Sequence, residues 1–128
     1  MNKAKKIIGY FLGVFLIAGA IGHIVNPDLS TGLIPEGLPV DLVHIVAALV
    51  EFVLGVGVFI PKYRTKALQG ICILMILFLP LHIFDVFREN PVVGSLNAAL
   101  FRLFMQFVLI YLPWYAGGKL NAKVPAEA

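Results

Sequence analysis

The sequence predicts an all-α, polytopic membrane protein: a bundle of four transmembrane helices with both termini cytoplasmic. Three observations point there. The 128-residue chain is 60% hydrophobic and only 13% charged, where soluble domains carry about 25% charged residues. Its mean hydropathy is +0.95. Its apolar residues fall into four runs, each close to the roughly 20 residues that a helix needs to cross a bilayer. The length fits one membrane domain over residues 1–128.

Met1 to Lys6 is a basic tip, and the first apolar run follows over 7–25. A basic start, an apolar stretch and Ala18-Gly19-Ala20 resemble a secretory signal, but the run exceeds the usual 7–15 apolar residues of one. It reads as the first span. Gly9 and Gly13 are spaced for close helix approach, used inside the bundle or at a dimer seam. Residues 26–40 are rich in Pro, Gly and polar side chains and read as a loop. Leu29, Leu33, Ile34 and Leu38 make that loop apolar enough to lie on the bilayer surface or to cover the bundle mouth.

The second span covers 42–60 and stops at Pro61, and Lys62 to Lys66 form a tight basic turn. The third covers 67–87, with a kink expected at Pro80, whose ring removes a backbone donor. A polar loop follows, then a fourth span over 96–114 and a polar tail over 117–128. If all four runs cross, Lys3, Lys5, Lys6, Lys62, Arg64, Lys66, Lys119 and Lys123 share one side. Arg88 alone among the basic residues joins Asp28, Glu36, Asp41 and Glu89 on the other. The positive-inside rule then makes both termini cytoplasmic. Trp114 and the tyrosines fall in the same half. Topology therefore accounts for the +3 net charge, and nucleic-acid binding is excluded as a reading.

Within the spans the polar side chains are few. Glu51 is an acid near the middle of the second span, where insertion costs on the order of 3 kcal/mol unless it faces protein or water. His44 lies seven residues earlier, about two turns away on the same face. Gln106 on the fourth span reaches similar depth, with Arg102 one turn outward. His82 and Asp85 are i and i+3 neighbours on the third span, and His23 closes the first. All lie at or outside the midplane, and the cytoplasmic half reads as dry. The pattern describes a polar pocket with an apolar floor, open outward. Arg102 is the expected partner of Glu51, Asp85 or both, since a guanidinium forks between two carboxylates. The competing reading is architectural, with buried pairs that fix helix register.

No metal is expected, because no histidine and carboxylate pair has the spacing of di-metal bundles. The single cysteine, Cys72, sits in an apolar run and reads as a packing thiol, with no disulfide partner. No phosphate loop, dinucleotide fingerprint or activated nucleophile is visible.

Four stretches, GAIGHIVNPD, VAALVEFVLGVGVFIPKYR, ILFLPLHIFDVF and FRLFMQFVLIYLPWY, together resemble the DoxX-like family of small bacterial four-helix membrane proteins. The resemblance spans roughly residues 9–115 and rests on His23 with Pro27, Glu51 with Gly55 and Pro61, Pro80, and Arg102 with Gln106. Leu81 and His82 follow Pro80 where the family pattern often has a small residue and Asn. The resemblance implies a multi-pass protein of the bacterial inner membrane. Some relatives look like subunits of quinone-linked redox complexes, and a distant one is an assembly chaperone. The expectation is an accessory subunit of a membrane redox system, with a quinone or similar amphiphile held by Glu51, Arg102, Gln106, His82, Asp85, His44 and His23. No covalent cofactor is expected, so electron transfer needs a redox partner protein. Catalysis and homo-oligomerisation stay open at this point. The alternative is an assembly or interaction protein with a structural polar cluster. Transport is disfavoured, as four helices without a broken-helix repeat leave little room for alternating access.

Overall fold

A computed structural model describes residues 2–118, and every regular element in it is helical. The sequence-predicted tail beyond residue 118, with Lys119 and Lys123, lies outside the described residues. Helix α1 runs Lys3–Val25, α2 is a single turn at Asp28–Thr31, α3 runs Val40–Phe59, α4 Arg64–Val86 and α5 Leu96–Gly117. The four long helices are each long and apolar enough to cross a membrane, making this a multi-pass membrane protein. Side chains such as Phe11, Val14, Leu49, Phe84, Phe101 and Phe104 point outward and present the apolar belt that lipid requires.

Local chemistry sets the helix ends. Asn2 caps α1, accepting from the Lys5 N–H at 2.8 Å, so the basic tip is helical from Lys3. Pro39 precedes α3, and Ile60, extended as residues before proline tend to be, ends it at Pro61. Ser95 caps α5 through the Ala98 N–H. The expected basic turn at 62–66 is shorter than predicted, because Arg64, Thr65 and Lys66 form the first turn of α4. Arg64 is buried rather than solvated. Its Nε donates to the Val58 carbonyl at 2.8 Å, satisfying an acceptor in the last turn of α3, and its guanidinium lies over the Tyr10 ring.

The helices form a ring in chain order. α3 and α5 each pack on α1 and on α4, which leaves α3 and α5 on one diagonal. Along α1 and α3 the register is set by small residues. A Cβ added to Gly13 would lie 3.0 Å from the Gly55 carbonyl, and one added to Gly55 would lie 2.9 Å from the Gly13 carbonyl. The backbones touch there. Gly9 faces Val58 and Leu68, so the glycine pair of α1 serves packing inside the bundle.

The core is layered along the bundle axis. Leu12, Leu16, Val58, Leu68 and Ile71 are almost fully buried in the half toward the chain termini, and Met75 and Leu109 extend this layer toward the middle of the bundle. His44, Glu51, His82, Asp85 and Gln106 are buried toward the opposite, loop end. The termini half is less uniformly dry than the sequence suggests, because Arg64, Thr65 and Gln69 are buried at its margin. The apolar layer lies between two polar ends.

The loop over residues 26–39 folds onto the loop end. Thr31 is bonded to His44, and a Cβ on Gly32 would lie 3.0 Å from the Val92 side chain of the other loop.

Gly55→Ala should lower the detergent melting temperature, since overpacking typically costs about 1–3 kcal/mol. Gly22→Ala, where nothing lies within 4 Å of the added carbon, should not. Equal effects of the two would refute backbone contact at Gly55.

Candidate functional site

Glu51 finds its partner on α1. Its Oε2 lies 3.2 Å from His23 Nε2, and room for the carboxyl is left by Gly19, one turn earlier on α1, where an added Cβ would sit 3.4 Å from Oε1. His23 then reaches His44 through its other nitrogen, Nδ1 to Nδ1 at 2.9 Å. His44 and Glu51 are seven residues apart, about 10 Å along the α3 axis. The His23 ring bridges them because its two nitrogens point opposite ways. His44 Nε2 meets Thr31 Oγ1 at 3.0 Å, and the Thr31 hydroxyl donates to the Pro27 carbonyl at 2.8 Å.

The tautomers follow from this order. Thr31 has one hydrogen and gives it to Pro27, so its oxygen accepts from His44 Nε2–H. His44 Nδ1 is then the acceptor of a proton on His23 Nδ1. His23 Nε2 and Glu51 Oε2 are left to share the last proton, as carboxylic acid beside imidazole or carboxylate beside imidazolium. The Glu51–His23 contact is at ion-pair distance, but Oε2 is not aligned as a hydrogen-bond acceptor.

A second polar group sits between α4 and α5. Asp85 is 1% exposed. Its Oδ1 accepts from the Val92 N–H at 2.7 Å and lies 3.6 Å from Arg88 Nε. His82 lies within electrostatic reach of Asp85, its i+3 neighbour on α4, and of Arg102 on α5. His82 Nδ1 and Asp85 Oδ2 are buried without a hydrogen-bond partner among the described residues. Such an atom costs about 1–3 kcal/mol.

The expected fork of Arg102 between the two acids is corrected. α3 and α5 lie on a diagonal, so Glu51 pairs with α1 instead. Asp85 pairs with Arg88, its i+3 neighbour. Half-buried Arg102 makes no ion pair with any described carboxylate. Gln106 donates to the Met75 carbonyl at 2.7 Å, on the turn that Pro80 disturbs, which is a structural duty. Thus His23, His44 and Glu51 form one connected set, and His82, Asp85 and Arg102 gather separately. Thr31 and the Val92 N–H were missed, because nothing local marks a loop threonine or amide as a partner of a span. A cavity of about 460 Å³ lies elsewhere, between α3 and α4 toward the termini end, lined by apolar side chains with Tyr63 and Lys66 at its edge.

The chain belongs to the family described as Domain of unknown function (DUF8561), which matches residues 12–116 and therefore all four spans. No curated protein and no solved structure matches it. The likeness to DoxX-like proteins thus rests on the motifs alone.

Asp85→Ala should release the second loop. Losing a charge-assisted bond worth about 1.5–3 kcal/mol predicts roughly 10- to 100-fold faster hydrogen exchange at the Val92 amide. Unchanged exchange would show that the loop does not depend on this bond.

Proposed function

We propose that this protein is an accessory subunit of a membrane redox system, in the bacterial inner membrane, and that the outer half of its bundle binds a quinone or similar amphiphile. The observation that carries this reading is the pair of buried atoms, His82 Nδ1 and Asp85 Oδ2, without a hydrogen-bond partner among the described residues and near Arg102, which pairs with no described carboxylate. A polar head with both acceptor and donor oxygens, on an apolar body that enters from the lipid, matches that set. Arg102 and His82 would donate to a carbonyl, and Asp85 would accept from a hydroxyl. The quinone supplies two-electron chemistry when bound. On this reading a partner protein delivers or collects the electrons.

A second reading has its own support. Gln106 is occupied by the Met75 carbonyl, and Asp85 by the Val92 amide, as in a cluster that holds a fold together. On that reading the protein is an assembly or interaction partner of another membrane protein.

Gently purified protein should retain an isoprenoid quinone detectable by mass spectrometry, and a short-chain quinone should bind saturably. Arg102→Met and His82→Leu should each weaken that binding about tenfold, one hydrogen bond's worth. If nothing is retained and nothing binds, the quinone reading is lost. Loss of partner capture in Arg102→Met without any quinone binding would favour the assembly role.

A further inference from the structure

We propose that Thr31, His44, His23 and Glu51 form a proton half-channel joining the loop-end face of the membrane to the middle of the bundle, closed toward the termini. This stands apart from the quinone reading and needs no ligand.

Continuity is the first argument. Three contacts of 3.0, 2.9 and 3.2 Å link a loop hydroxyl, two imidazoles and a carboxyl, and each group can both give and take a proton. Thr31 sits in the one-turn helix α2, whose neighbours Asp28, Leu29 and Gly32 are exposed, so the outer link is near solvent. Glu51 is buried in the span, so the inner link is not. In the tautomers set out above every donor points to the loop, so a proton first moves outward. Glu51 gives one to His23 Nε2, His23 Nδ1–H gives one to His44 Nδ1, and His44 gives up its Nε2–H toward the loop end. Both rings are then in the opposite tautomer. A proton taken up at His44 Nε2 now moves one from His44 Nδ1 to His23 Nδ1, and His23 Nε2–H hands one back to Glu51 Oε2. No proton is created or lost, and no oxidant is needed. The last hand-over requires Glu51 to rotate into alignment, since Oε2 now faces His23 without hydrogen-bond geometry. That rotation is a gate.

The second argument is the closed end. One and two turns beyond Gly19 and Glu51, the interior is Leu16, Leu12 and Val58, backed by Leu68 and Ile71, all at most 1% exposed. None can carry a proton. The next buried polar groups, Gln69, Thr65 and Arg64, lie beyond this layer. The relay therefore serves a site inside the membrane and does not conduct across it.

The surrounding charges leave the relay distinct. α4 and α5, packed against α3 and α1, carry His82, Asp85 and Arg102 at this end, and Asp85 is engaged by Val92 and Arg88. Within α1 to α3, Asp28 and Asp41 are exposed and no other titratable group lies between Thr31 and Glu51 in the chain of contacts.

The test uses full-length, quinone-free protein oriented in liposomes, with the infrared carboxyl band of Glu51 identified by its loss in Glu51→Gln. A pH step on the loop side should shift that band, and a step on the termini side should not. His44→Gln should slow the response at least tenfold while keeping a hydrogen-bonding side chain. Thr31→Val, a loop change that spares the spans, should slow it in the same direction. Passive proton flux through the wild-type vesicles should match that of empty ones. An equal response from both sides, an unslowed response in both variants, or a flux above background would overturn the half-channel.

Discussion

An acid in the middle of an apolar span must find a partner, and the pairing of Glu51 with His23 meets that demand for the whole bundle. The partner is on the neighbouring helix, so the pair also fixes how α1 and α3 meet. Gly19 leaves space for the carboxyl, and Gly13 and Gly55 bring the backbones together further along. In lipid there is little hydrophobic drive between helices, so close contact and polar bonds must hold them. The α1–α3 seam has both. Removing the small residues would separate the very groups that the acid needs.

The division of the interior into polar and apolar layers follows from the same constraint. Three of the polar side chains toward the loop end are held by another helix or by a loop: His44 by Thr31, Asp85 by Val92, Gln106 by Met75. The loops thus contribute partners to the spans, and the contact between Gly32 and Val92 joins them over the bundle. The apolar layer needs no such partners and is filled by leucine, isoleucine and valine. At the termini end, Arg64 performs the service that the loops perform opposite, closing α3 through the Val58 carbonyl.

The number of spans, their order and their approximate ends were legible because bilayer thickness imposes a length that a run of apolar residues reveals directly. Pairings were not. A seven-residue spacing placed His44 and Glu51 on one face, and they do share a partner. That partner is His23, which the sequence assigned to the pocket without a specific mate. Arg102 looked like the mate because charge and depth matched, but neither reveals which helices are adjacent in the ring. The burial of Arg64 was hidden for a related reason. Five residues with three positive charges read as a solvated turn, and only the fold shows a carbonyl waiting above it. The one-turn helix at Asp28–Thr31 is too short for any periodic signal.

The two polar groups differ in a way that bears on function. The first is a hydrogen-bonded chain from Pro27 through Thr31 and His44 to His23, so its proton positions are set from the Pro27 end, and it closes on Glu51 Oε2 at ion-pair distance without a hydrogen bond. On the half-channel reading, such an arrangement needs no ligand and passes protons along. The second has two buried atoms, His82 Nδ1 and Asp85 Oδ2, without a hydrogen-bond partner among the described residues, and a purely structural cluster gains nothing from them. As proposed, one site passes protons and the other receives a polar head, both toward the loop end and on opposite sides of the same ring. An amphiphile that exchanges protons as it changes redox state is the kind of molecule that would need both.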